Sequence, residues 1–261
     1  MKHFESFSKH ILFKNKQSKL TLYYIKHIIT IIILPIFLFN AAFITLFLNS
    51  YNNNLNGQVR SVAEKNANIL DNVFHNVDTY YKTSISNNSI YLLLNNSFNV
   101  NNLYGSQPPV TIASNAAYTL NNYLNCIDSV FLYSEKSDYI YGLLGQTSKK
   151  FEDFDDKTWY DEYLKNNRSD YISSVEYNGI PYLTFCYNLN NISSENHGIL
   201  VIRISQEELL QRMKLVNDNT NTLKLCADDT GNELINYNPE SSKSGIEYTV
   251  PLENTNATLT Y

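Results

Sequence analysis

The sequence has one tryptophan, two methionines and three cysteines among 261 residues, and each scarcity excludes something. Three cysteines are too few, and odd in number, for a disulfide framework. Two arrangements stay open for Cys126, Cys186 and Cys226: buried thiols acting as small hydrophobes, or one disulfide with a spare thiol. Glycine is sparse, and the pair in GLLGQT (142–147) lacks the lysine and helix start of a phosphate loop. His3, His10, His27, His75 and His197 are scattered, and none sits at metal-ligand spacing. The acids Glu152, Asp153, Asp155 and Asp156 lack the glycine and closing glutamate of a calcium loop, and read as charges favouring the positive end of a helix. No catalytic constellation is recognisable, so the expectation is no catalytic residue, no metal and no cofactor within the chain.

One stretch lacks charge altogether. Ile28–Leu48, IITIIILPIFLFNAAFITLFL, is 21 residues long, and at about 1.5 Å per residue a helix of that length reaches roughly the 30 Å of a bilayer's hydrocarbon core. Pro35 and Asn40 are tolerable in such a helix. The run is too long for a secretory signal's apolar region, and asparagines instead of a small-residue cleavage site follow it. Basic charge is scarce after the span and concentrated before it, where Lys2, Lys9, Lys14, Lys16, Lys19 and Lys26 stand against Glu5. That asymmetry predicts a cytoplasmic basic arm at 1–27, a membrane span at 28–48 and everything later outside the cell. The arm's net +5 leaves −10 for the rest, which argues against nucleic acid as a partner of the outer portion. The abundant asparagine and lysine fit AT-rich coding, as in low-GC Gram-positive bacteria.

Beyond the span the hydrophobic period predicts elements. Residues 49–86 read as a long helix carrying two adjacent apolar rows, one through Val59, Val62, Ile69 and Val73, the other through Ala63, Ala67, Leu70, Phe74 and Val77. Two readings stay open: the helix packs only on its own domain, or one row packs on the domain and the other on a partner helix of a homodimer, with Asn66 and Asn76 setting register. After a polar break at Ser86–Ser89, a second helix is expected over Ile112–Leu124, and then the period changes to strands. IDSVFLYS with DYIYG, and YISSVEYNG with PYLTFCYNL around Asn178-Gly179, read as hairpins. A helix over Lys157–Asn167 separates them. GILVIRIS reads as a central strand, and Ser205 with Glu208 forms a capping box for the helix after it. From Leu223 a new unit begins with a hairpin at Asp229-Thr230-Gly231 and the strand IEYTVPL, and Tyr261 ends the chain where more strands are needed to cover it. The fold class is α+β: a transmembrane helix, a long helix, an antiparallel sheet flanked by helices at 87–222, and the start of a second module at 223–261.

This pattern resembles the double Cache extracytoplasmic sensor region of Gram-positive membrane receptors, either two-component histidine kinases or membrane-anchored AraC-type regulators. The resemblance is carried by ILPIF in the span, ISNNSIYLLL, IDSVFLYSEKSDYIYG, FEDFDDKTWYDEYL, PYLTFCYNL, GILVIRISQEELL and DDTGNELI. It implies a PAS-like distal module holding a small-molecule ligand, a dimer signalling inward, and an output domain beyond these residues, with a histidine kinase preferred. A membrane-anchored scaffold or adhesion protein is the rival reading. Where amino-acid-binding Cache modules carry an arginine two positions before a Trp-Tyr pair, this chain has Lys157 before Trp159-Tyr160, a point charge in place of a fork.

Tyrosine is plentiful, with 21 residues. Trp159, Tyr160, Lys157, Tyr141, Tyr182 and Tyr187, with Tyr139 and Tyr163 beside them, are the candidate ligand site: rings lining a pocket with hydroxyls turned inward for a polar or sugar-like molecule. The rival reading, ordinary core and surface tyrosine in a tyrosine-rich chain, outweighs it on composition alone.

Overall fold

A computed structural model of the chain describes residues 19–95, 109–189, 197–214, 222–229, 231–238 and 247–261. The basic arm before Lys19, Thr230 of the expected turn and Ile246 of IEYTVPL lie outside these residues. The chain divides into two compact units, Met1–Gln58 and Val59–Tyr261.

One helix, α1, runs Lys19–Ile85, and its apolar stretch is long and apolar enough to cross a membrane. A π-helical turn at Ile29–Ile33 interrupts it. Pro35 explains the turn: it has no N–H to give the carbonyl of Ile31, and its ring would clash there in a regular helix. The hydroxyls of Thr30 and Thr45 donate to the carbonyls of Lys26 and Ala41, four residues earlier, so neither presents an unpaired donor in the apolar stretch.

In the second unit, α1 buries a stripe through Ala63, Asn66, Ala67, Leu70, Val73, Phe74, Val77, Tyr80 and Ser84. The dimer reading has Asn66 facing a partner helix; it is fully buried within its own domain. Of the other row, Val62 stays exposed and Val59 and Ile69 are half-buried. Next come α2 (Asn88–Asn95) and α3 (Pro109–Leu124). Helix α2 lies where the sequence reads as a polar break, because Asn87 starts it: its Oδ1 accepts the Ser89 N–H at 2.8 Å and its carbonyl accepts the Tyr91 N–H. Helix α3 begins earlier than the period indicates, with Pro109 at the position where a missing N–H costs nothing.

Six antiparallel strands follow: β1 (Ile127–Ser134), β2 (Tyr139–Leu144), β3 (Lys149–Lys150), β4 (Tyr171–Tyr177), β5 (Ile180–Asn188) and β6 (Gly198–Ser205), in the order β3-β2-β1-β6-β5-β4. Helix α4 (Thr158–Lys165) is inserted between β3 and β4, and α5 (Gln206–Arg212) follows β6. Both expected hairpins are present. Asn178 and Gly179 have φ of 54° and 76°, the left-handed pair that a two-residue hairpin turn requires. Ser205 Oγ accepts the Glu208 N–H at 3.3 Å, the expected cap of α5. A second sheet of β7 (Leu223–Ala227), β8 (Glu233–Tyr237), β9 (Thr249–Pro251) and β10 (Ala257–Thr260) has the order β8-β7-β10-β9. The architecture is α+β.

The two faces of the large sheet carry different cores. Val130, Leu132, Leu183, Phe185, Leu200 and Ile202 point toward the helices α1, α2 and α3, in a cluster that also takes in Leu225, Leu234 and Leu259 of the second sheet. Phe131, Tyr133, Cys186, Ile199 and Val201 point the other way, onto Phe154, Trp159 and Tyr163 of α4 and the loop before it. All three cysteines are free; Cys126 and Cys186 are buried and Cys226 half-buried.

Candidate functional site

The face beneath α4 is where the sheet departs from an ordinary core. Cross-strand register places Ser129 of β1 opposite Arg203 of β6, Arg203 opposite Thr184 of β5, and Thr184 opposite Ser173 of β4. Directly paired residues share a face, so four adjacent strands contribute one row of polar side chains. Two residues further along these strands the row is Phe131, Val201, Cys186 and Tyr171, which is apolar apart from one phenol. Arg203 is 1% exposed, and Ser129 and Thr184 are fully buried.

Little of this polar row is satisfied. Ser129 Oγ, Thr184 Oγ1, Ser173 Oγ and Arg203 Nε are buried without a hydrogen-bond partner among the described residues. Each unmet buried group costs roughly 1–3 kcal/mol, a burden that an apolar row would remove. Arg203 is neutralised by Asp156, itself 4% exposed, in the loop before α4. The contact is one of charge: Asp156 Oδ2 receives no aligned hydrogen bond among the described residues. Phe131, Tyr177 and Tyr182 surround the guanidinium carbon, with ring centroids at 5.7, 5.8 and 5.4 Å.

Asp156 also builds the start of α4. Its Oδ1 accepts the Thr158 N–H at 3.1 Å and the Thr158 hydroxyl at 2.6 Å, and its carbonyl accepts Trp159 Nε1–H at 3.0 Å. Arg203 Nη2 reaches Thr158 Oγ1 at 3.5 Å. The Tyr171 hydroxyl donates to the Trp159 carbonyl at 2.6 Å, fixing the helix from β4. Burial raises the Tyr171 phenol pKa above its ordinary value, and it does the same for Tyr182. Burial likewise raises the pKa of the Cys186 thiol, which makes it inert.

Of the residues that the sequence singles out, Lys157, Trp159 and Tyr160 come together at α4, and Tyr182 lies on the same side of the sheet against Arg203. Trp159 is fully buried, with Phe131 at 5.4 Å and Tyr160 at 5.5 Å between ring centroids. Lys157 Nζ donates to the Glu152 carbonyl at 3.1 Å and lies over the Phe151 ring. Tyr141 and Tyr187 are not brought to this place. Both belong to the cluster on the opposite face, where Tyr187 stacks on Tyr81 of α1 at 4.1 Å. Sequence reasoning missed Arg203, Asp156, Thr184, Ser129 and Ser173. The available signal was Arg203 itself, the one charge in GILVIRIS, since a central strand apolar on both faces buries whatever charge it carries.

No protein-family profile matches the sequence, and no curated protein is similar to it. Solved structures to which the chain shows similarity include the extracellular domain of vpHK1S-Z8, assigned as a histidine kinase, at 12% identity and a TM-score of 0.49 over 79% of this chain and 91% of that one. The sensory domain of the Campylobacter jejuni chemoreceptor Tlp3 with isoleucine bound is 14% identical, with a TM-score of 0.38 over 77% of this chain and 92% of that one. The periplasmic domain of Vibrio cholerae LuxQ is 12% identical, with a TM-score of 0.35 over 77% and 93%.

Proposed function

We propose that this chain is the extracytoplasmic ligand-sensing region of a membrane receptor, anchored by α1 with its basic arm in the cytoplasm. The observation that carries the reading is the polar row beneath α4, in which Ser129, Arg203 and Thr184 are buried and Ser173 half-buried, with four atoms unsatisfied among the described residues. A scaffold domain gains nothing from this row, whereas a binding site needs a few convergent polar groups in an otherwise apolar wall. Trp159, Tyr160, Lys157 and Tyr182 are the surrounding side chains in this proposal. We take a two-component histidine kinase as the output in preference to an AraC-type regulator, a homodimer through α1 as the working assembly, and a module boundary near Leu223.

The test is a ligand screen on the full chain in lipid nanodiscs with amino acids, organic acids, sugars and purines, read by thermal shift and then by calorimetry. The reading expects at least one class to bind and to slow hydrogen exchange along β5 and β6. If no compound binds, the scaffold reading takes its place.

A further inference from the structure

The unmet groups beneath α4 include three hydroxyls and the Nε–H of Arg203, all able to donate, and they adjoin the buried Arg203–Asp156 ion pair. Arg203 offers a planar fork of five N–H groups. One η nitrogen faces Asp156, the other stands 3.5 Å from Thr158 Oγ1, and Nε has no partner among the described residues. The Ser129 and Thr184 hydroxyls flank it on both neighbouring strands. Resting on the reading above, we propose that Arg203 is the anchor of a site for a small monocarboxylate, that Asp156 occupies this site from within the chain, and that ligand binding displaces Asp156.

The chemistry selects the ligand class. A carboxylate matches the guanidinium fork with two oxygens and can take further bonds from the adjacent hydroxyls. A cation would meet the charge of Arg203. A neutral polyol would leave that charge buried and uncompensated once Asp156 moved. A phosphate dianion would bring two negative charges to one arginine, since the amine of Lys157 is directed outward to the Glu152 carbonyl. The aromatic rings of Phe131, Tyr177 and Tyr182 limit the space around the guanidinium, which keeps the ligand small.

Displacement has a structural consequence because Asp156 does two things at once. The carboxylate that neutralises Arg203 also holds the Thr158 N–H and hydroxyl, and the carbonyl of the same residue holds the Trp159 indole. A ligand that takes Arg203 therefore releases the start of α4. Binding and the movement of α4 become one equilibrium, in which the internal carboxylate lowers apparent affinity by the fraction of time that it occupies the site.

The experiment uses the full chain in nanodiscs at constant ionic strength. Acetate, propionate, L-lactate and pyruvate are titrated alongside acetamide, propionamide and lactamide by calorimetry and thermal shift. The proteins are wild type, Asp156→Asn, and the double variant Asp156→Leu with Arg203→Met, which replaces the charge pair by apolar side chains. At least one carboxylate should bind wild type while its amide does not. Asp156→Asn should bind that carboxylate about tenfold more tightly, because the internal competitor is gone. The double variant should not bind it. In wild type, the carboxylate should speed hydrogen exchange at Thr158–Tyr160. If Asp156→Asn folds only when the carboxylate is added, that rescue supports the proposal directly. Weaker carboxylate binding by Asp156→Asn, or undiminished binding by the double variant, overturns it. Binding confined to amides, sugars or purines overturns the carboxylate site and leaves the sensor reading standing. Absence of binding by every class, to wild type and Asp156→Asn alike, removes both.

Discussion

Gln206, the first residue of α5, donates Nε2–H to the carbonyl of Leu234 on β8 at 3.1 Å, and the same nitrogen lies 2.8 Å from Ser174 Oγ on β4. One buried amide thus ties the edge of the large sheet to the edge of the small one. Gln206→Leu leaves the Leu234 carbonyl short of a donor and should cost about 1–3 kcal/mol. The loss should be local: hydrogen exchange should quicken in 223–237 more than in β1 or β6. Equal quickening everywhere would mean that the two sheets open as one.

Trp159 is enclosed on all sides and its indole N–H is engaged, so its first effect is on folding. Trp159→Ala should lower stability by about 3–5 kcal/mol. Trp159→Phe keeps the ring contact with Phe131 but loses the bond to the Asp156 carbonyl, and should cost about 1 kcal/mol. Urea unfolding followed by far-ultraviolet circular dichroism gives both values. A Trp159→Ala protein of undiminished stability would contradict the packing described.

Alkaline pH should unfold the domain cooperatively. Burial pushes the Tyr80 and Tyr163 phenols up from 10.0 to about 12. An acid with a higher pKa in the folded state keeps its proton longer there, so its contribution to stability is complete below pH 10 and is lost as pH rises toward 12. The melting temperature should therefore hold steady from pH 7 to about 9 and fall above about 10. Tyrosinate absorbance at 295 nm from the buried phenols should appear together with unfolding. Full ionisation by about pH 11 in a protein that is still folded would show that these phenols are accessible.

Orientation rests on lysine asymmetry across the apolar span. Protease added to intact protoplasts should remove the domain and spare a tag placed before Met1. Loss of that tag, with the domain protected, would invert the topology.

Much of the architecture was legible because it is written locally. The uncharged run at 28–48, the change of period near residue 127, the Asn178-Gly179 turn and the Ser205 cap each depend on residues close in sequence. The site was less legible because it is made by register. Ser129, Arg203, Thr184 and Ser173 become neighbours only through three strand pairings, one of them joining distant segments. Parity also carried information that the aromatic grouping overlooked. Tyr182 and Tyr187 stand an odd number of residues apart on one strand, so alternation alone sends them to opposite faces.

The order of strands in the large sheet also governs how the domain can be made. Hairpins β1–β2 and β4–β5 close over short loops, but the central pair joins Ile127 to Ile204 and Ser134 to Gly198. Contacts so distant in sequence are slow to form. As the chain is delivered from its amino end, each hairpin can assemble early while the sheet stays open at its middle until β6 arrives. Arg203 is therefore among the last residues to enter. The partly made domain must keep its exposed strand edges away from other chains until that single strand completes the large sheet.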